Sequence, residues 1–152
     1  MIVHPTTEQL LLDCARELRE GVLPALTDHT AIVRTAMVEQ VLRNTAVRSA
    51  HEIQWMRDEI TALTAYVHEV AAASSRPELS SGLHGLSTAH TDHLHLVVVS
   101  DRYRRASELF AAALEVTVDE GLDALREQGE RLLDARLARE RQVMAGWSPT
   151  GR

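Results

Sequence analysis

The chain has no lysine; all of its basic residues are arginine. That excludes Schiff-base chemistry, lysine-linked cofactors and the phosphate-loop lysine. Its single cysteine, Cys14, excludes an intrachain disulfide and a thiolate-rich zinc site. Two Trp, two Tyr and one Phe are fewer aromatics than a β-sandwich usually carries, and Gly and Pro are also scarce, at 7 and 4. The longest fully apolar run, Leu109-Phe110-Ala111-Ala112-Ala113-Leu114, falls far short of the ~20 residues a membrane-spanning helix needs. The first residues carry no basic segment followed by an apolar one, so no signal peptide is expected and the cytoplasm is the default compartment. A net charge of −6 argues against nucleic acid or an anionic membrane as the main partner.

What remains is 152 residues, 45% apolar and 25% charged, an ordinary composition for one domain spanning 1–152. Apolar residues recur at helical spacing through most of the chain. Thr6 with Gln9 makes a capping box ahead of a first helix with Leu11, Cys14, Leu18 and Val22 on one face. Pro24 should kink or finish that helix. Thr27 and Asp28 offer the next cap, for a helix carrying Ile32, Val33, Ala36, Met37, Val41 and Leu42 and ending near Asn44-Thr45. Ser49-Ala50-His51-Glu52 reads as another capping box. A third helix follows, with Ile53, Met56, Ile60, Leu63, Val67 and Val70 spaced 3, 4, 3, 4, 3, a heptad seam.

Residues 74–91, rich in Ser with Pro77, Gly82 and Gly85, read as one long loop. A fourth helix should begin between Ser87 and Asp92, with Leu96, Val99, Tyr103, Ala106, Phe110 and Ala113 on its seam. Thr117-Val118-Asp119-Glu120 looks like the next cap. The fifth helix carries Leu122, Leu125, Leu132, Leu133 and Leu137 among dense charge. Gly121 and Gly129 within it each cost about 1 kcal/mol against Ala, which points to a close neighbour or a local break. The tail 146–152 should fray. The expected fold is all-α, an up-down bundle of about five amphipathic helices.

Histidine is the conspicuous polar feature. Alternating helix directions would gather His29, His68, His84, His90, His93 and His95 at one end, with Asp28, Glu69 and Asp92. From these a divalent-metal site of His29, His68, His90 and His93 can be assembled, since neutral imidazole suits zinc, iron, nickel or copper. Against it stand the lack of Glu-x-x-His and His-x-x-x-His pairs, and the loop setting, in which histidines are usually just solvated. Arg102 and Arg105 share a helical face and offer an anion site, although Asp101 and Glu108 are near enough to neutralise the cluster. Gly85-Leu86-Ser87-Thr88-Ala89 faintly echoes a nucleophile elbow but lacks the strand that motif needs. The pairs Glu17/Glu20 and Glu127/Glu130 read as solvated faces rather than magnesium ligands. Cys14 is expected in the core.

Trp55 and Tyr66 lie off the third helix's seam and demand a second packing partner. That partner is another helix of the chain, or a second copy in a homodimer. His4-Pro5-Thr6-Thr7-Glu8-Gln9-Leu10-Leu11 and Leu18-Arg19-Glu20-Gly21-Val22-Leu23-Pro24-Ala25-Leu26 resemble an uncharacterised bacterial helical domain associated with aminoglycoside-phosphotransferase-like proteins. The resemblance implies an accessory role beside a partner enzyme of phosphotransferase-like fold, and it brings no catalytic residues. The chain therefore reads as a non-catalytic accessory or protein-interaction module. The alternative is a metal- or small-molecule-binding bundle.

Overall fold

The computed structural model describes residues 4–88 and 94–144, apart from the Thr88 side chain. The molecule is all-α: it is 89% helical, with five α-helices and no strand among the described residues. They are α1 (Thr7–Glu17), α2 (His29–Ala73), α3 (Pro77–Thr88), α4 (Leu96–Asp119) and α5 (Asp123–Val143).

Both ends of the first segment follow the sequence. Thr6 Oγ1 accepts from the Gln9 backbone N–H at 3.2 Å, and Gln9 Oε1 accepts from the Thr6 N–H at 2.8 Å, the expected capping box. After α1 the chain widens into a π turn over Leu18–Val22 and tightens into a 3-10 turn over Leu23–Ala25. Pro24 sits in that last turn, and Leu26 is extended, with ψ at 137°. A residue without an N–H that crowds the carbonyl four back ends the helix there. Asp28 Oδ1 then accepts from the Ala31 N–H at 2.7 Å and caps the start of α2.

The break expected near Asn44-Thr45 does not occur: α2 is continuous over 45 residues. The polar side chains that resemble caps are satisfied within the helix. Thr45 Oγ1 donates to the Val41 carbonyl and Ser49 Oγ to the Ala46 carbonyl, each at 2.8 Å. Glu52 accepts from Arg48 at 2.8 Å instead of reaching back to the Ser49 N–H. Ser and Thr support either arrangement, and nothing local decides between them.

The segment read as a loop at 74–91 contains α3. Pro77 occupies its first position, where no N–H is needed. Leu79, Leu83 and Leu86, spaced 4 and 3, are all buried. Serine and glycine dilute this stripe without removing it. A Cβ on Gly82 would stand 2.5 Å from Leu109 Cδ1, so the glycine lets α3 approach α4 closely.

Helix α4 begins later than expected. Leu96 is exposed, while Val99, Ala106, Phe110 and Ala113 are buried. It also runs past the expected stop. Thr117 is buried and donates to the Leu114 carbonyl at 2.7 Å rather than capping α5. The real stop is Gly121, at φ +65°. There the Leu122 N–H bonds the Thr117 carbonyl (2.9 Å) and the Gly121 N–H the Val118 carbonyl (3.4 Å), which is a Schellman ending. Gly121 thus lies between helices, not inside the fifth.

The chain divides into two compact units, Ile53–Ala138 and a second made of Met1–Glu52 with Arg139–Arg152. The 53–138 unit holds the main core. In it the α2 seam of Ile60, Leu63, Val67 and Val70 meets the buried leucines of α3 and the buried face of α4. Tyr66, off that seam, is buried too. Its ring packs edge-on against Phe110 at 5.1 Å. Its hydroxyl oxygen would lie 2.7 Å from a Cβ on Gly129 of α5. The second partner required by Tyr66 is therefore within the same chain, and Gly129 marks a close approach, not a break.

The other unit buries little. Its buried described residues are Ala15, Ala46, Val143 and the carboxylate Glu39. Cys14 is exposed, contrary to its expected place in the core. Ala15, one position on, takes the buried place.

Candidate functional site

Three polar constellations emerge from this framework. The first centres on Glu39 of α2, only 5% exposed at its side chain. Arg19 of the π turn lies 2.8 Å from Glu39 Oε1, and Arg43 bonds the same oxygen from one helical turn on. Two guanidinium groups answer one carboxylate, so its burial is compensated. The bond to Arg19 fastens the π turn to α2.

The second joins α2, α4 and α5 in the 53–138 unit. The Tyr103 hydroxyl donates to Glu59 Oε2 at 2.6 Å. Arg136 reaches the same oxygen at 3.8 Å, and its guanidinium lies 5.1 Å from the centre of the Tyr103 ring. Burial, with the Glu59 hydrogen bond and charge, pushes the Tyr103 hydroxyl pKa up to about 12. Burial also raises that of Tyr66. Thr117 lies near enough to moderate that rise. Thr117 Oγ1 donates to the Leu114 carbonyl, and the buried Tyr66 hydroxyl makes no hydrogen bond among the described residues. These are packed polar contacts linking the three helices.

The third is an open groove of about 480 Å³ between α2 and α3, lined by His68, Ala71 and Ala72 from α2 and Ser80, Leu83, His84 and Ser87 from α3. It brings His68 and His84 to one surface. The expected ligand set fares differently. His29 opens α2 and His68 stands in its penultimate turn, both exposed. His90 and His93 lie outside the described residues. Among the described residues no group of three or more His, Cys, Asp or Glu side chains is placed to hold a metal ion. His84, which the sequence places at the same end as His68, is presented by α3 and not by the loop expected there.

The arginine cluster on α4 is largely answered from its own helix. Asp101 pairs with Arg104 and Arg105, both at 2.9 Å, and Glu108 pairs with Arg104 at 2.6 Å. The Arg104 hydrogen bond, helped by Arg105, holds the Asp101 carboxyl below the usual range. Of the proposed anion pair, then, Arg105 is engaged by Asp101. Arg102 is half-buried, with its Nε shielded and without a hydrogen-bond partner. The Glu127/Glu130 face is engaged as well, through Arg126 and Glu130 at 2.7 Å.

Large apolar side chains are exposed in both units, among them Leu94, Leu96, Val97 and Val98 at and just before the start of α4. On α2, Met37, Val38 and Val41 are 53%, 52% and 62% exposed, and Leu10 and Leu12 of α1 are also exposed. Among the described residues no helix is long and apolar enough to cross a membrane. No family pattern, curated protein or solved structure matches this chain.

Proposed function

We propose that the protein is a non-catalytic helical interaction module that docks through its N-terminal unit, in the first instance onto a second copy of itself. The supporting observation is the imbalance within that unit. Its buried apolar residues are Ala15, Ala46 and Val143, while Leu10, Leu12, Met37, Val38, Val41 and Met144 are exposed. Isolated helices are marginal in water, and most helical stability comes from packing an apolar face. Grouped apolar side chains facing water mark interaction surfaces. The resemblance of the first helix to an accessory domain makes an enzyme of phosphotransferase-like fold the second partner class to test.

Light scattering on the eluted protein across a hundredfold concentration range tests the reading. The wild type is expected at twice the chain mass, and a Val38→Asp/Val41→Asp variant at the chain mass with its helicity unchanged. Both positions are exposed, so the folded chain tolerates the charges. A wild type that stays monomeric throughout removes self-association. Failure to co-purify with a phosphotransferase-like enzyme as well removes the module reading.

A further inference from the structure

The docking face proposed above carries two methionines. Met37, Val41 and Asn44 are spaced 4 and 3 on α2, so they form one row on that helix. Asn44 Nδ2 donates to the Met144 sulfur at 3.6 Å, which sets the end of α5 beside that row. Both segments belong to the same compact unit. Met37 and Met144 are exposed, whereas Met56 packs against the main core. A thioether is a soft, adaptable apolar group suited to contact surfaces. Oxidation turns it into a sulfoxide, a polar group that costs free energy to bury unpaired. The Asn44 amide would hold that new dipole on the face, since a sulfoxide oxygen accepts a hydrogen bond that a thioether sulfur accepts only weakly.

We infer that this face is a peroxide-sensitive contact, in which sulfoxidation of Met37 and Met144 separates the two copies. The inference rests on the self-association proposed above and adds its regulation. The oxidant is hydrogen peroxide. The sulfur lone pair attacks one peroxide oxygen, the O–O bond breaks, and the proton on the attacked oxygen passes to the leaving one. The thioether is oxidised to the sulfoxide and the peroxide is reduced to water. On the separated chain both sulfurs face solvent, while pairing covers them, so oxidation captures the separated state. Sulfoxide reductases reverse the step.

The full chain carrying Cys14→Ser, which removes the competing thiol, is treated with hydrogen peroxide, freed of it and measured by light scattering across a range of concentrations. Every basic residue is Arg, so trypsin puts Met1, Met37, Met56 and Met144 on separate peptides, and mass spectrometry reads the oxygen gained by each. With sulfoxide at Met37 and Met144 the dissociation constant should rise about tenfold or more, with circular dichroism unchanged. Reduction by methionine sulfoxide reductases of both stereospecificities should restore the pair. Met37→Leu/Met144→Leu, close in volume, should stay paired after the same treatment. Met37→Gln/Met144→Gln should separate without peroxide. A chain that stays paired with both sulfoxides in place, or a Leu variant that separates as its parent does, overturns the inference and leaves self-association standing. An untreated parent that is monomeric throughout removes self-association itself, and this inference with it.

Discussion

Gly129 of α5 faces the Tyr66 hydroxyl so closely that a methyl group on it would meet that oxygen at 2.7 Å, and would meet the Leu114 side chain as well. Helical preference and packing oppose each other here. Ala is favoured over Gly by about 1 kcal/mol in a helix, but overpacking a filled core costs about 1–3 kcal/mol. Gly129→Ala should lower stability in urea, by up to about 2 kcal/mol once the helix preference is subtracted. Gly85→Ala should act in the opposite direction. Its Cβ would meet nothing within 4 Å, so helix preference alone should raise stability by about 0.5–1 kcal/mol. Equal effects at the two positions would contradict the packing.

Gly121 requires its left-handed backbone. Gly121→Ala keeps φ at +65° only at a cost of about 1 kcal/mol, seen as a lower urea midpoint with unchanged slope.

Tyr103 imposes a pH dependence. Unfolded, its hydroxyl ionises near 10.0; folded, the pKa is pushed up to about 12. Between those values the native state keeps a proton that the unfolded chain has released. The stabilisation is therefore whole below pH 10 and declines as pH rises towards 12. Tyr103→Phe should lose about 1–2 kcal/mol at neutral pH and flatten that alkaline decline. Urea melts at pH 8, 10 and 11 check both effects.

Glu39 and Glu108 separate a buried ion pair from an exposed one. Glu39→Ala strands Arg19 and Arg43, but these are 53% and 37% exposed and regain water. The loss should be about 1–2 kcal/mol, short of a fully enclosed pair. Glu108→Gln, at a 62% exposed position paired with a solvent-facing Arg104, should leave the melting temperature unchanged.

The helical class, the caps at Thr6 and Asp28, the stop at Pro24 and the core seams of α2 and α4 were legible because each rests on short-range spacing. The continuity of α2 was not. Ser49 and Glu52 serve a helix interior as readily as a cap, and the choice depends on whether Arg48 takes the carboxylate. Helix α3 was hidden by composition: serine and glycine suggested a loop while Leu79, Leu83 and Leu86 kept helical spacing. That error left His84 on an expected loop, where the structure carries it on a helix. Joining the second and third expected helices into one also placed His29 and His68 at opposite ends of α2. Cys14 was misassigned by one position, since Ala15 occupies the contact that a thiol was expected to fill.

The solvent-facing thiol has a practical consequence. With no lysine in the chain, amine-directed cross-linkers find no side chain to react with, whereas a maleimide finds one addressable handle at Cys14. The same atom would join two chains covalently on standing in air, so reductant or Cys14→Ser must accompany any measurement of stoichiometry.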